Sequence, residues 1–384
     1  MRGRATMTTC MSSVVSSGSR ASALIDLAAL AHNLRVAQTY SSSQTLLPVI
    51  KANGYGHGLE AIAGALMAVD APLAGCAIAS LSEAQRLREN AWVLPIVLLP
   101  GFVNAAELEE CESLELEPVI HSPYQVDLLL TRLKDSTPFF SRVWLKANTG
   151  MNRLGMNAEQ WRAAYHALTN AGLSIVAMSH LACADELDSA MSEEQEERFA
   201  ALTNSIDSNC DRSLAASGGI LAWPSSHHDI VRPGIMLYGS SPFGERSAEG
   251  LGLEPVMTLR SRLLAINEIQ AGDAVGYGAS FVAEKAMRIG VVSIGYGDGY
   301  PRKTPNGTPV LVHTHAGMQR VPLVGRVSMD MITVDLTDID ASVGAEVVLW
   351  GEGLAADEIA QCCGTIAYEL FCQVTARVPR VIKN

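Results

Sequence analysis

The sequence predicts an α/β fold: a (β/α)8 barrel in the N-terminal part, followed by a β-rich C-terminal domain. Two observations carry this. Between residues 45 and 240, short apolar runs alternate with stretches of helical periodicity. After about residue 250 helical signals thin out, and strands come with Gly, Pro and Asp turns. The division reads as residues 1–21, a disordered extension or expression remnant; 22–250, the barrel; and 251–384, the β-rich domain.

Residues 1–21 are polar, rich in Ser and Thr, and lack the apolar core of a secretory signal; a transit peptide is the alternative. "ALIDLAALAHNLRVAQ" (23–38) reads as a strand and then a helix, the strand being a candidate to pair with the C-terminal domain. Eight strand candidates follow: "LLPVIK" (46–51), "GCAIAS" (75–80), "PIVLLP" (95–100), "EPVIHS" (117–122), "RVWLKAN" (142–148), "IVAMSH" (175–180), "LAASGG" (214–219) and "IVRPGIMLYG" (230–239). Between them "SEAQRLREN", "SPYQVDLLLTRLK", "NAEQWRAAYHALTNAG" and "SEEQEERFAALTNSID" show helical spacing behind Ser or Asn caps. Eight strands in about 200 residues fit a closed barrel. An open doubly wound sheet is the rival, but no GxGxxG opens a helix after a strand.

With 48% hydrophobic and 18% charged residues, the chain can bury a large core. A net charge of −12 speaks against a nucleic-acid partner, and no apolar run reaches membrane-spanning length. Eight scattered cysteines without a CxxC pair read as reduced thiols of a cytoplasmic protein. "HTH" at His313–His315 lacks further ligands at suitable spacing; it reads as an exposed strand or turn, and no metal is expected.

In a parallel barrel, chemistry sits at the C-terminal ends of the strands. Those ends carry Lys51 and Tyr55, Lys146 and Asn148 with Arg153 beyond, His180, Ser217, and Arg232 with Gly234. A cation-rich rim in an acidic chain suggests an anionic small ligand. Backbone amides around "RPGI" and "ASGG" could cradle a phosphate. Lys51 closes an apolar strand, where an ammonium is costly unless paired, neutralised or used covalently. It is either a snorkelling side chain or an amine that forms a Schiff base with an aldehyde. Barrel, lysine and phosphate rim together point to pyridoxal 5'-phosphate, although Schiff-base aldolases share the barrel and the lysine.

The ordered blocks "VIKANGYGHG" (49–58), "LKANTGMNRLG" (145–155), "VRPGIMLYG" (231–239), "VGYGASF" (275–281), "IGYGDGYPR" (294–302), "GRVSMDM" (325–331) and "AYELFCQVTARVPR" (367–380) resemble those of the alanine racemase family over about residues 22–382. The resemblance implies interconversion of L- and D-alanine, for peptidoglycan or for L-alanine catabolism, by a head-to-tail homodimer with shared active sites. Lys51 matches the cofactor lysine and one catalytic base. Tyr277 matches the second base, supplied by the other subunit. Tyr55, Ser217, Tyr368 and the backbone of Gly234 and Ile235 match phosphate contacts. Arg232 matches the partner of the pyridine nitrogen, and His180 the histidine beside the ring. Arg153 and Met329 match the substrate-carboxylate site, and Tyr296 a gate. Lys146, often carbamylated in the family, and Asp330 match supporting positions.

Three departures stand out: Gly54 where alanine is common, Asn148 for a frequent aspartate, and Ala216 where asparagine commonly precedes the serine. Rival readings are a broad-specificity amino-acid racemase, a non-catalytic pyridoxal-phosphate-binding protein, which would lack the β domain, and a basic amino-acid decarboxylase, which would need an acidic residue in place of Arg232.

Overall fold

The computed structural model describes residues 20–41, 44–135, 142–206 and 210–383. The extension expected at residues 1–21 lies outside them except for its last two residues. The described chain forms two compact units. One comprises Asp26–Met257 and Trp350–Val374; the other comprises the residues leading to Ile25, Thr258–Leu349 and the stretch from Thr375 onward.

The first unit is a parallel barrel. Six strands run in order as Cys76–Ile78, Ile96–Leu98, Leu116–Ile120, Arg142–Lys146, Ser174–Met178 and Asp211–Ser213. A further parallel pair joins Thr45–Leu46 to Ile230–Val231. Single bridges Val49–Ala77 and Ala216–Arg232 tie this pair to the two ends of the six-stranded run, so that eight strands close. The strands Cys76–Ile78 and Ile96–Leu98 are wholly buried, as parallel strands covered on both faces must be.

The anticipated helices occur as Leu81–Glu89, Pro123–Asp135, Ala158–Asn170 and Met191–Thr203. Asn157 and Gln160 make a reciprocal capping box, and Ser80 caps the first of these helices. Helices Leu59–Ala68 and Ala105–Ser113 complete alternations that the sequence reading had not singled out.

Three strand segments differ from expectation. Pro48, which has no N–H to donate, leaves only Thr45–Leu46 in a ladder, and Lys51 opens a turn instead of ending a strand. "LAASGG" is not the strand; Asp211–Ser213 is, just upstream, and Ser217–Ala222 is a short helix. Gly219 makes that helix possible, because a Cβ there would come within 2.9 Å of the Ala215 methyl. Ile230–Val231 stops at Arg232 and Pro233, and the rest of "IVRPGIMLYG" turns as a 3-10 segment, Ile235–Tyr238.

The second unit is β-rich. Its main sheet runs Gly317–Pro322, Pro309–Thr314, Glu346–Trp350, Met257–Ile269, Ser22–Ile25 and Arg380–Ile382, with Met287–Val292 and Ile332–Asp335 attached through Met257–Ile269. Ser22–Ile25 pairs in parallel with Arg380–Ile382, so the strand before the first helix does join the C-terminal sheet. His313 lies exposed on Pro309–Thr314, with His315 in the following turn. None of the described helices is long and apolar enough to cross a membrane.

Gly56, in the turn after Lys51, has φ +79°, and a Cβ there would stand 2.1 Å from the Phe371 carbonyl oxygen. Gly172 also has positive φ, but open space around it. We expect Gly172→Ala to cost about 1 kcal/mol from backbone strain alone. Gly56→Ala, which adds the clash, should cost about 3 kcal/mol or more. Urea denaturation of both variants checks this; equal shifts would mean that the turn does not press on the helix Ala367–Gln373.

Candidate active site

At the mouth of the barrel lies a cavity of about 530 Å³. Ten of the residues given a site role in the sequence analysis line it: Lys51, Tyr55, Lys146, Arg153, His180, Ser217, Arg232, Gly234, Ile235 and Tyr368. Four do not. Tyr277, Tyr296, Met329 and Asp330 belong to the β-rich unit.

Lys51 is placed by an unusual piece of backbone. Ala52, Asn53, Gly54 and Tyr55 all have positive φ, making one left-handed helical turn. Gly54 N donates to Ile50 O (2.9 Å) and Gly56 N to Ala52 O (2.8 Å). L-residues pay roughly 1–2 kcal/mol each for this conformation, so the surroundings must hold it. Gly54, one of the departures from the family pattern, sits at φ +61° without that penalty, and a Cβ would come within 3.0 Å of Ile62 Cγ1. Tyr55 stacks on Tyr238 with ring centroids 4.6 Å apart, and Tyr238 Oη donates to Val49 O (3.1 Å).

One corner of the cavity is a small polar cradle. The Ser217 hydroxyl accepts from Gly234 N (2.9 Å) and Met236 N (3.3 Å). A Cβ at Gly234 would lie 3.0 Å from Tyr55 Oη and 3.8 Å from Ser217 Oγ, so glycine keeps this corner open. Tyr368 tilts toward Tyr55 at 5.8 Å. Burial, and then the proximity of Tyr368, raises the Tyr55 hydroxyl far above the usual phenol range, so it is a neutral donor.

Arg232 also lines the cavity and is firmly held. Its guanidinium donates to Ser213 Oγ, to Ser179 O (2.7 Å), to Leu214 O (3.0 Å) and to His180 Nδ1 (3.3 Å). Because arginine only donates, His180 Nδ1 must accept, which puts the imidazole proton on Nε2. Desolvation first, then Arg232, Lys146, Arg153 and Lys51, push His180 well below the ordinary histidine range.

The two lysines respond to the same surroundings. Lys146, only 8% exposed, is pulled down to about 8 by burial, then by Arg232, Arg153 and Lys51. Lys51 is lowered by burial and by Arg153, against the opposing pull of Cys372 and Glu83. Among the described residues lining the cavity none is acidic. The arrangement can hold a dianion at the polar cradle, present a hydrogen-bond donor from Arg232, and offer an amine with a reduced affinity for its proton. That donor set fits pyridoxal phosphate.

In the other unit, Gly276 and Gly278 take positive φ on either side of Tyr277, which is 70% exposed, and the Arg326 guanidinium lies beneath Gly278. Tyr296 N donates to Ser328 O (3.0 Å), Gly297 N to Met329 O (2.8 Å), and Arg377 Nη2 to Asp330 Oδ1 (2.6 Å). Among the cavity residues that sequence reading missed, Cys372 had a signal: it follows Tyr368 by four positions and shares its helix face. Leu99, Pro100, Leu154 and Met178 carried none beyond their place at strand ends.

Comparison with known proteins bears on what this cavity does. The family description "Alanine racemase, N-terminal domain" matches residues 25–242, and "Alanine racemase, C-terminal domain" matches residues 256–382. The alanine racemase of Vibrio vulnificus (strain CMCP6) is 46% identical over 93% of this chain and 98% of its own length. The crystal structure of the biosynthetic alanine racemase from Pseudomonas aeruginosa superposes with a TM-score of 0.89 at 42% identity, covering 95% of this chain and 100% of that one. That of the Bartonella henselae alanine racemase, with covalently bound pyridoxal phosphate, gives 0.85 at 29% identity, over 95% and 99%.

The geometry around His180 sets a pH test. Its pKa is lowered in the folded state, so the unfolded chain takes up this proton first as pH falls. This group therefore withdraws stability as pH drops through about 6.5 and has no effect above it. Nitrogen-15 NMR of His180 should show a neutral imidazole with the proton on Nε2 from pH 5 to 9. Titration near 6.5 would contradict the network.

Proposed function

The chain belongs to the alanine racemase family, and on that premise we propose that Lys51 and Tyr277 are its two proton-transfer groups, one for each face of the substrate's Cα. The protein is an enzyme that interconverts L- and D-alanine with pyridoxal 5'-phosphate as cofactor. The observation that carries the residue assignment is the convergence of ten matched residues on one cavity around Lys51.

The cofactor's phosphate would be held by Tyr55, Ser217, Tyr368 and the backbone of Gly234 and Ile235. Its ring nitrogen would meet Arg232, and His180 would lie beside the ring. When bound, pyridoxal phosphate supplies a conjugated electron sink that makes the substrate's Cα–H acidic. Racemisation needs that proton to leave from one face and to return on the other, and two bases on opposite faces do this without moving the substrate. Lys51, whose depressed proton affinity favours the free amine, takes the D-alanine proton; Tyr277 takes the L-alanine proton. Arg153 and the Met329 backbone receive the substrate carboxylate. Tyr296 gates the approach, and Asp330 supports the same region through Arg377.

We assign Tyr277 to a second copy of the chain, which makes the working enzyme a homodimer with shared sites. The exposure of Tyr277 on a unit that does not line the cavity supports this. A small amino acid is the substrate; the acidic balance favours no nucleic-acid partner, and free buried thiols such as Cys76 and Cys111 favour the cytoplasm. Domain limits near 22–250 and 251–384 accompany this reading.

We expect Lys51→Ala to lose both racemisation and the cofactor adduct that borohydride fixes to the chain, seen by mass spectrometry. Tyr277→Phe should keep the adduct but lose deuterium exchange at Cα of L-alanine. Mixing the two inactive variants should restore activity, because a heterodimer holds one intact site. No recovery after demonstrated subunit exchange would exclude a shared site.

Lys146 we read as carbamylated, since an amine at about 8 is nucleophilic toward carbon dioxide and a carbamate would offset its cationic neighbours. Only the neutral amine reacts, so uptake of 13C-bicarbonate, followed by a carbonyl signal in NMR, should rise as pH increases through about 8. Absence of that signal at every pH would exclude the modification.

A further inference from the structure

Glu83 is a buried carboxylate, 8% exposed, outside the cavity and outside the roles given above. It stands in "SLSE", where Ser80 is the N-cap of the helix Leu81–Glu89 and accepts from Glu83 N (3.3 Å). In a capping box the glutamate would return this bond to the N–H of Ser80. Here it does not. Oε2 instead accepts from Ala79 N (3.0 Å), and Oε1 reaches across to Asn53 N (3.0 Å), inside the left-handed turn. Both carboxylate oxygens are thus spent on backbone that borders the cavity: Ala79 lines it, and Asn53 follows Lys51 by two residues. The Asn53 side chain extends the clamp. Its Oδ1 accepts from Leu59 N (3.1 Å) and Arg86 Nη2 (2.9 Å), and Arg86 pairs with Glu60 through Nε (2.7 Å).

We propose that Glu83 is a positioning residue for the reaction: its carboxylate locks the left-handed turn to the end of the strand Cys76–Ile78 and so aims Lys51 into the cavity. The proposal rests on the reading of Lys51 as the cofactor lysine. A glutamine in its place keeps the shape but has one accepting oxygen, and its NH2 would face an N–H donor. The charge has a separate signature. Lys51 is faced by Arg153, which favours the free amine, and by Glu83 and Cys372, which favour the ammonium; Lys146, Arg232 and His180 share the cavity. Removing the carboxylate while the turn stays buried must lower the Lys51 midpoint further. Loosening the turn lets water reach the amine and raises the midpoint toward the ordinary lysine value.

The test uses the full-length chain stripped of cofactor. Acetic anhydride labelling of Lys51 at a series of pH values, read by mass spectrometry, gives its midpoint. Fluorescence titration with pyridoxal phosphate gives cofactor affinity. Glu83→Gln should weaken cofactor binding about tenfold and shift the Lys51 midpoint, downward where the turn stays buried and upward where it loosens. Ser80→Ala, which removes the helix cap and leaves the carboxylate, should leave both within about twofold of the unmodified chain. An unchanged affinity, or equal effects from Ser80→Ala, would overturn the proposal in favour of general stabilisation. If Glu83→Gln gives no melting transition, Glu83→Asp decides. It keeps the charge but is too short to span both amides, so binding should weaken; unchanged binding overturns the clamp. Should borohydride fix the cofactor of the unmodified chain to a lysine other than Lys51, the underlying reading fails instead, whatever the variants do.

Discussion

Four cationic side chains, Lys51, Lys146, Arg153 and Arg232, line one cavity whose described lining has no carboxylate, and most else about the site follows from that repulsion. Each charge was taken partly out of water on folding, and each destabilises the others. The structure spreads the burden unequally. Arg232, least able to lose its proton, sits deepest and is met by two backbone carbonyls and a serine hydroxyl. The lysines, which can lose theirs, absorb the field as lowered proton affinity. A cluster arranged to hold anions thereby also eases loss of the proton that imine chemistry requires of the amine. A phosphate or carboxylate entering this space relieves repulsion already built into the fold, so ligand binding and folding stability should reinforce one another.

The same economy explains the turn at Lys51. A lysine at the end of a regular strand would point along the sheet normal fixed by the pleat. Replacing the last strand residues by a left-handed turn re-aims it, at a conformational cost borne by Ala52, Asn53 and Tyr55. Neighbouring elements hold the turn: Tyr238 stacks on Tyr55, the helix Ala367–Gln373 packs against Gly56, and Glu83 takes the Asn53 amide. Strain at a reactive residue persists only where the surroundings over-determine it, and three independent elements do so here.

How much of this was readable beforehand depends on whether the cause is local. The barrel was legible because its strands are buried on both faces and so appear as continuous apolar runs. Its seventh strand was placed a few residues late, because small residues such as Ala215, Gly218 and Gly219 suit a tight helical turn as well as a strand, and its eighth was drawn too long. Lys51 stood out as a cation closing an apolar run. Glu83 did not, because Ser80 and Glu83 at a spacing of three look like a purely local cap, and nothing nearby in sequence announces that the carboxylate bonds a residue thirty positions away. The segment Trp350–Val374 shares a compact unit with Lys51 although in chain order it falls between stretches of the other unit, a long-range return that periodicity cannot express. Tyr277, Tyr296, Met329 and Asp330 were named through resemblance alone, since exposed turn residues have no physical signature of a role in chemistry.

Asn148 shows how one departure from the family pattern fits the charge balance. Its Oδ1 accepts from Gly150 N and Asn152 N, both at 3.1 Å, and its Nδ2 donates to Asn152 Oδ1 at 2.9 Å. An aspartate could make the first two bonds, but would keep the third only if the Asn152 amide turned over to present its NH2. Asparagine therefore suits its own neighbour and closes the loop leading to Arg153 as a neutral unit. The consequence is electrostatic: no anion in that loop offsets Arg153, so its charge is left for the cavity. In this chain the loop's hydrogen bonding and the site's demand for negative charge are two results of the same side-chain amide.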